Sequence, residues 1–217
     1  MGDWMIRGYE LLTVIVPFFV AYEAVGVANR RRGLRDGRGY ALGAWAFAVY
    51  VYGVFHFTGA GTLHDILRLG LALRDDQTNL QFLSDYMIPS EYALNVLLFV
   101  PFGFLVPMLW PRADRLWAVV PAGLAFSLLI ELSQLLNNRA SDVDDLLMNT
   151  LGAAVGFLLF RAAFHGAART GQAERAGRLR ARCGYLKREP LLYIAVMFVG
   201  RFLLFDETGM WGMFSAV

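Results

Sequence analysis

The chain has 217 residues, of which 57% are hydrophobic and only 18% charged, with a formal net charge of +2. That balance excludes an ordinary soluble domain and points to an integral membrane protein. The single cysteine, Cys183, excludes an internal disulfide and a multi-cysteine metal site, and nucleic-acid binding does not fit a chain this apolar.

A spanning helix needs ~20 largely apolar residues. Six such segments are predicted in chain order: Tyr9–Ala28, Tyr40–Gly59, Tyr92–Trp110, Leu116–Leu136, Asp142–Phe160 and Pro190–Phe205. The first is read as a span rather than a signal peptide. Asp3, Arg7 and Glu10 stand before and at its start, no small-residue cleavage site follows, and Arg30, Arg31 and Arg32 form a stop-transfer flank. Between the second and third spans, His64–Leu73 carries apolar residues at helical spacing and predicts a short amphipathic helix on the outer surface. The expected fold is all-α, a polytopic bundle of about six transmembrane helices forming a single domain over residues 1–217.

Basic residues orient this bundle. The first, third and fifth connections hold fifteen lysines and arginines, while the opposite side holds Arg7, Arg68, Arg74 and Arg139. The asymmetry places the arginine-rich connections in the cytoplasm and both termini outside. The basic stretch Arg161–Arg188 then reads as topogenic charge in contact with anionic lipid.

Polar side chains inside spans are costly and mark function or specific pairing. In the fourth span Ser127, Glu131, Gln134 and Asn138 recur at helical spacing and share one face. Glu131 is expected roughly 8 Å below the outer end of that helix, at 1.5 Å per residue. In the fifth, Asp142, Asp145, Asn149, Gly152 and Gly156 share a face. Gly152 and Gly156 form a GxxxG pattern that permits close backbone approach, so the fourth and fifth spans are expected to pack with their polar faces together. Gly103 eases close packing of the third span. Asn95, His56 and Arg201 fall at a similar depth, and Glu23 lies within reach of Arg30.

Several chemistries remain open for these groups. Ser141 and Asp144 match a capping box, a structural role. Glu131 reads either as half of a buried pair with Arg201 or Arg139, or as a proton donor with Asp145 as base. Asn95 and Asn149 suit interhelical hydrogen bonds as well as ligand contacts. Asp142, Asp144, Asp145 and Glu131 offer hard oxygen ligands that suit Mg²⁺ better than zinc, although no metal motif requires it, so no cofactor is expected.

Three segments also resemble a known family. Asn95–Gly103 (NVLLFVPFG), Ser127–Gln134 (SLLIELSQ) and Arg139–Gly156 (RASDVDDLLMNTLGAAVG) together look like the VanZ-like family of bacterial membrane proteins, with the family core at about residues 92–160. Ala140 and Ser141 depart from the pattern, where a bulkier residue is expected after the arginine. The resemblance implies a multi-pass protein of the bacterial cytoplasmic membrane. The founding member is associated with resistance to teicoplanin, which acts at cell-wall precursors on the outer face. The expected ligand is amphipathic, either a lipid-linked cell-wall precursor or a lipoglycopeptide. The expected ligand-binding set is Asn95, Glu131, Gln134, Arg139, Asp142, Asp145, Asn149 and Arg201. The alternative is an enzyme modifying a lipid-linked substrate, with Glu131 and Asp145 as acid and base or with the aspartates holding a divalent ion.

Overall fold

A computed structural model describes residues 2–34, 38–70, 78–79, 89–137, 141–169, 189–207 and 209. The fold is all-α. Its helices are α1 (Gly2–Arg31), α2 (Arg38–Thr58), the short α3 (Leu63–Leu69), α4 (Pro89–Leu109), α5 (Leu116–Gln134), α6 (Val143–Arg169) and α7 (Glu189–Leu204). Apart from these, the described residues form two single-turn 3₁₀ segments and a two-residue parallel bridge pairing Thr78–Asn79 with Ser141–Asp142. Five of the helical stretches are long and apolar enough to cross a membrane. Helices suit that setting because every backbone polar group is satisfied within the segment. The sixth, α7, is apolar but only 16 residues long.

Two elements differ from expectation. α1 begins well before Tyr9, which turns Glu10 from a flank into a buried position within the helix. α3 is shorter than the predicted stretch. Thr62 caps it by accepting from the Asp65 N–H, and the Asp65 carboxylate accepts from the Thr62 N–H. It closes at Gly70, whose φ of 74° favours glycine. Leu71–Leu73 lie outside the described residues.

The bundle has two parts. α6 lies along α4 and, less extensively, α5, while α1 pairs with α7. At the centre, Phe55, Phe99, Phe102 and Phe126 pack ring against ring. Large apolar side chains such as Val20, Leu42, Val49, Leu158 and Leu204 point outward, as a lipid-facing surface requires.

The glycine pattern serves a different pair of helices from the one expected. A Cβ on Gly152 would strike the Val96 carbonyl, one on Gly156 the Val100 carbonyl, and one on Gly103 the Ala153 carbonyl. The GxxxG face therefore seats α6 on α4, backbone against backbone. The contact with α5 is made instead through Gly123, which faces the Ala153 side chain, and through polar groups nearer the end of the helix. One helical face spans both neighbours.

Helices α1 and α7 are tied to the rest by buried polar bonds at both ends. At one end the Glu189 carboxylate accepts from the Tyr40 hydroxyl at 2.6 Å and the Tyr193 hydroxyl at 2.7 Å. At the other, Glu10 joins Arg201 at 3.0 Å and His56 at 2.7 Å. Arg201 also donates to the Ala60 carbonyl. Near the opposite rim of the bundle, Glu23 meets Arg30 at 3.5 Å as expected.

Candidate functional site

A cleft of about 830 Å³ lies among α2, α4, α5 and α6. It is lined by Asn95, Glu131, Gln134, Asp145 and Asn149, five of the polar residues singled out in the sequence. The remaining wall is apolar: Tyr50, Gly53, Val54, Phe57, Leu94, Leu97, Leu98 and Pro101, with Thr58 at the polar end. Phe57, Leu94 and Leu97 are exposed, so the rim carries apolar surface outward. The volume falls within the ~300–1,000 Å³ typical of small-molecule sites.

The polar groups meet because the two stripes have the periodicity of their helices. Ser127 and Glu131 sit one turn apart on α5, and Asp145 and Asn149 one turn apart on α6. The stripes join where the Asn149 amide donates to the Ser127 hydroxyl at 2.9 Å. Asp145 accepts from the Asn95 amide of α4 at 2.5 Å. Glu131 is buried at 5% exposure, and Asn149 at 3%. Gln134 donates to the Thr58 carbonyl at 2.8 Å. Its own amide oxygen, and that of Asn149, are buried with no partner among the described residues.

The other expected site residues stand apart. Arg201 does not face the cleft. It is bound to Glu10 and to the turn after α2, because α7 packs chiefly on α1. Among the described groups, its carboxylate partner is Glu10 and not Glu131. Asp144 is fully buried and accepts from the Tyr92 hydroxyl at 2.8 Å, away from the cleft lining. Asp142 forms part of the two-residue bridge at the entrance to α6. Arg139 and Asn138 lie outside the described residues. Among the described residues no three metal-ligating side chains converge. The neighbouring aspartates divide, Asp144 to Tyr92 and Asp145 to Asn95.

Sequence reasoning missed the groups that position this site. The turn after α2 is stitched to the end of α5. Asn137 donates to the Gly59 carbonyl at 3.1 Å, and the Gly61 N–H donates to the Ser133 hydroxyl at 3.0 Å. These bonds present the Thr58 carbonyl that orients Gln134. Glu10 supports the same turn through Arg201. Its signal was available, since Trp4, Met5 and Ile6 extend the apolar periodicity upstream of it.

A family model described as VanZ/LLP1 matches residues 39–165. The match runs from α2 through most of α6 and contains all four helices that line the cleft. α1 and α7 lie outside it. No curated protein and no solved structure matches the chain. With more than half of its length covered by that one model, and the cleft built wholly within the matched part, the chain belongs to the VanZ/LLP1 family.

Proposed function

We propose that this membrane protein binds or screens an amphipathic ligand at the outer leaflet, seating the ligand's polar part in the cleft. The ligand is a lipid-linked cell-wall precursor or a lipoglycopeptide of the teicoplanin type. The observation that carries this reading is the convergence of Asn95, Glu131, Gln134, Asp145 and Asn149 in one cleft with an apolar rim. Polar groups are expensive at this depth, and five of them in one cavity are better explained by a ligand than by packing alone. Arg139 and Asp142, which precede α6 in the sequence, belong to the proposed ligand-binding set as well.

Binding of fluorescent precursor and of teicoplanin to the full-length protein in nanodiscs tests the proposal. The double substitution Glu131→Gln with Asp145→Asn should weaken binding by about tenfold or more, equivalent to ~1.4 kcal/mol. Undiminished affinity rejects the cleft as the site. Conversion of the precursor to a product, lost in Glu131→Gln, would replace the binding role with an enzymatic one.

The outward orientation follows from the basic residues and has its own test. In a Cys183→Ser background, Ser141→Cys should react with an impermeant maleimide on intact cells, whereas Gly171→Cys should not. The reverse pattern would turn the cleft to the cytoplasm.

A further inference from the structure

The direction of the hydrogen bonds inside the cleft narrows the chemistry of what it holds. Asn95 commits an amide N–H to Asp145, Gln134 to the Thr58 carbonyl and Asn149 to Ser127. The Tyr50 hydroxyl donates to the Leu98 carbonyl. One N–H of each of these amides, and the Tyr50 hydroxyl hydrogen, is thus turned toward the protein. The lining atoms left buried with no partner at all among the described residues are two amide oxygens, on Gln134 and Asn149. The Gln134 orientation is dictated by Thr58, because a carbonyl only accepts. Among the described lining residues there is no lysine, arginine or histidine, while Glu131 and Asp145 contribute carboxylates.

We infer that the ligand group seated in the cleft is a hydrogen-bond donor, a polyol or ammonium head free of phosphate, carried on a membrane-embedded apolar tail. This rests on the cleft being the binding site, as proposed above. Hydroxyl or ammonium hydrogens supply the partners that the two amide oxygens lack, and an unmet buried acceptor is costly. A phosphate would set acceptor against acceptor and bring negative charge beside two carboxylates. The exposed Phe57, Leu94 and Leu97 continue the wall as apolar surface, where a tail would lie. In a lipid-linked precursor or a lipoglycopeptide, the sugar portion has the required chemistry and a pyrophosphate does not.

The test uses the full-length protein in micelles and three dioleoyl probes, read by native mass spectrometry. Monoglucosyl dioleoylglycerol carries hydroxyls, dioleoyl-ammonium-propane carries an ammonium, and dioleoyl phosphatidic acid carries a phosphate. At least one donor-headed probe should be retained about tenfold better than phosphatidic acid, a difference of ~1.4 kcal/mol. The ranking of the two donor probes then separates hydroxyl from ammonium. Gln134→Met should erase most of that preference. Asn149→Leu serves in its place if the melting temperature shows that the first variant is unfolded, and the wild-type ranking stands independently of both. Phosphatidic acid retained equally or better, with or without Mg²⁺, overturns the inference, as does retention of none of the three. Gly53→Phe separates this failure from failure of the cleft itself. A Cβ at Gly53 meets nothing within 4 Å, so the ring has room to fill the cavity. Donor lipids that bind Gly53→Phe normally reject the cleft. Phosphatidic acid that binds best and is blocked by Gly53→Phe leaves the cleft standing and rejects only the donor chemistry.

Discussion

Gly156→Leu is expected to prevent α6 from seating on α4 and to abolish recovery of folded, monodisperse protein. The obstruction is backbone. A Cβ at position 156 meets the Val100 carbonyl and the Gly103 Cα, and neither can rotate away as a side chain would. Overpacking a core costs about 1–3 kcal/mol when side chains absorb it, and more when two helices must separate. Here separation would also pull Gly103 off Ala153 and Gly152 off Val96, because all three contacts belong to one interface. The check is size-exclusion chromatography of the purified variant together with its thermal transition. Gly8→Leu is the control, since a Cβ there has nothing within 4 Å. It should behave as wild type. A Gly156→Leu protein with an unchanged transition would contradict the close approach of α4 and α6.

Arg201→Leu carries the second large expected effect. Arg201 and Glu10 form an ion pair at 3.0 Å, with side-chain exposures of 6% and 5%. Removing Arg201 leaves the buried Glu10 carboxylate with only His56 beside it, and breaking a buried pair in this way costs up to about 3–5 kcal/mol. The loss extends beyond the pair, because Arg201 also holds the Ala60 carbonyl in the turn after α2. Replacing both residues, Glu10→Leu with Arg201→Leu, removes the stranded carboxylate and should be less damaging than Arg201→Leu alone. Unfolding midpoints of the two single variants and the double variant measure the coupling directly. Additive losses would show that the pair does not act as a unit. Because the turn presents the Thr58 carbonyl to Gln134, Arg201→Leu should also loosen the cleft, although Arg201 does not line it.

That indirect route shows where sequence reasoning stopped. Depth and opposite charge to Glu131 are what place Arg201 in the expected ligand-binding set. It does lie in a polar layer near one end of the bundle, but so do Glu10 and His56. Depth places a residue along the membrane normal and says nothing about its position around the bundle. Glu10 reads as a flanking charge at the edge of the apolar run, where charge is ordinary. Only the continuation of α1 to Gly2 makes it a core residue.

The two polar stripes were legible because periodicity of 3.6 residues is a property of each helix by itself. Ser127 with Glu131, and Asp145 with Asn149, are neighbours in any α-helix containing that sequence. Cost in lipid is an equally local argument, and it selects the five polar residues that the cleft assembles together with others, such as Arg201 and His56, that stand elsewhere. The glycine pattern was recognised as a packing face, but its partner was not. Spacing shows that a face is small without showing whose carbonyls it meets.

Helix number, apolar length, the charge asymmetry and the composition of each helical face were determined by the amino-acid sequence, since all are set by local preference and by the cost of exposing polar atoms to lipid. The tertiary structure alone decided which faces meet: α6 on α4 through glycine, Asn149 on Ser127, Gln134 on Thr58, and Arg201 on Glu10. The physical reason is that those pairings depend on how each helix is rotated about its axis. That rotation is fixed by the simultaneous packing of all its neighbours.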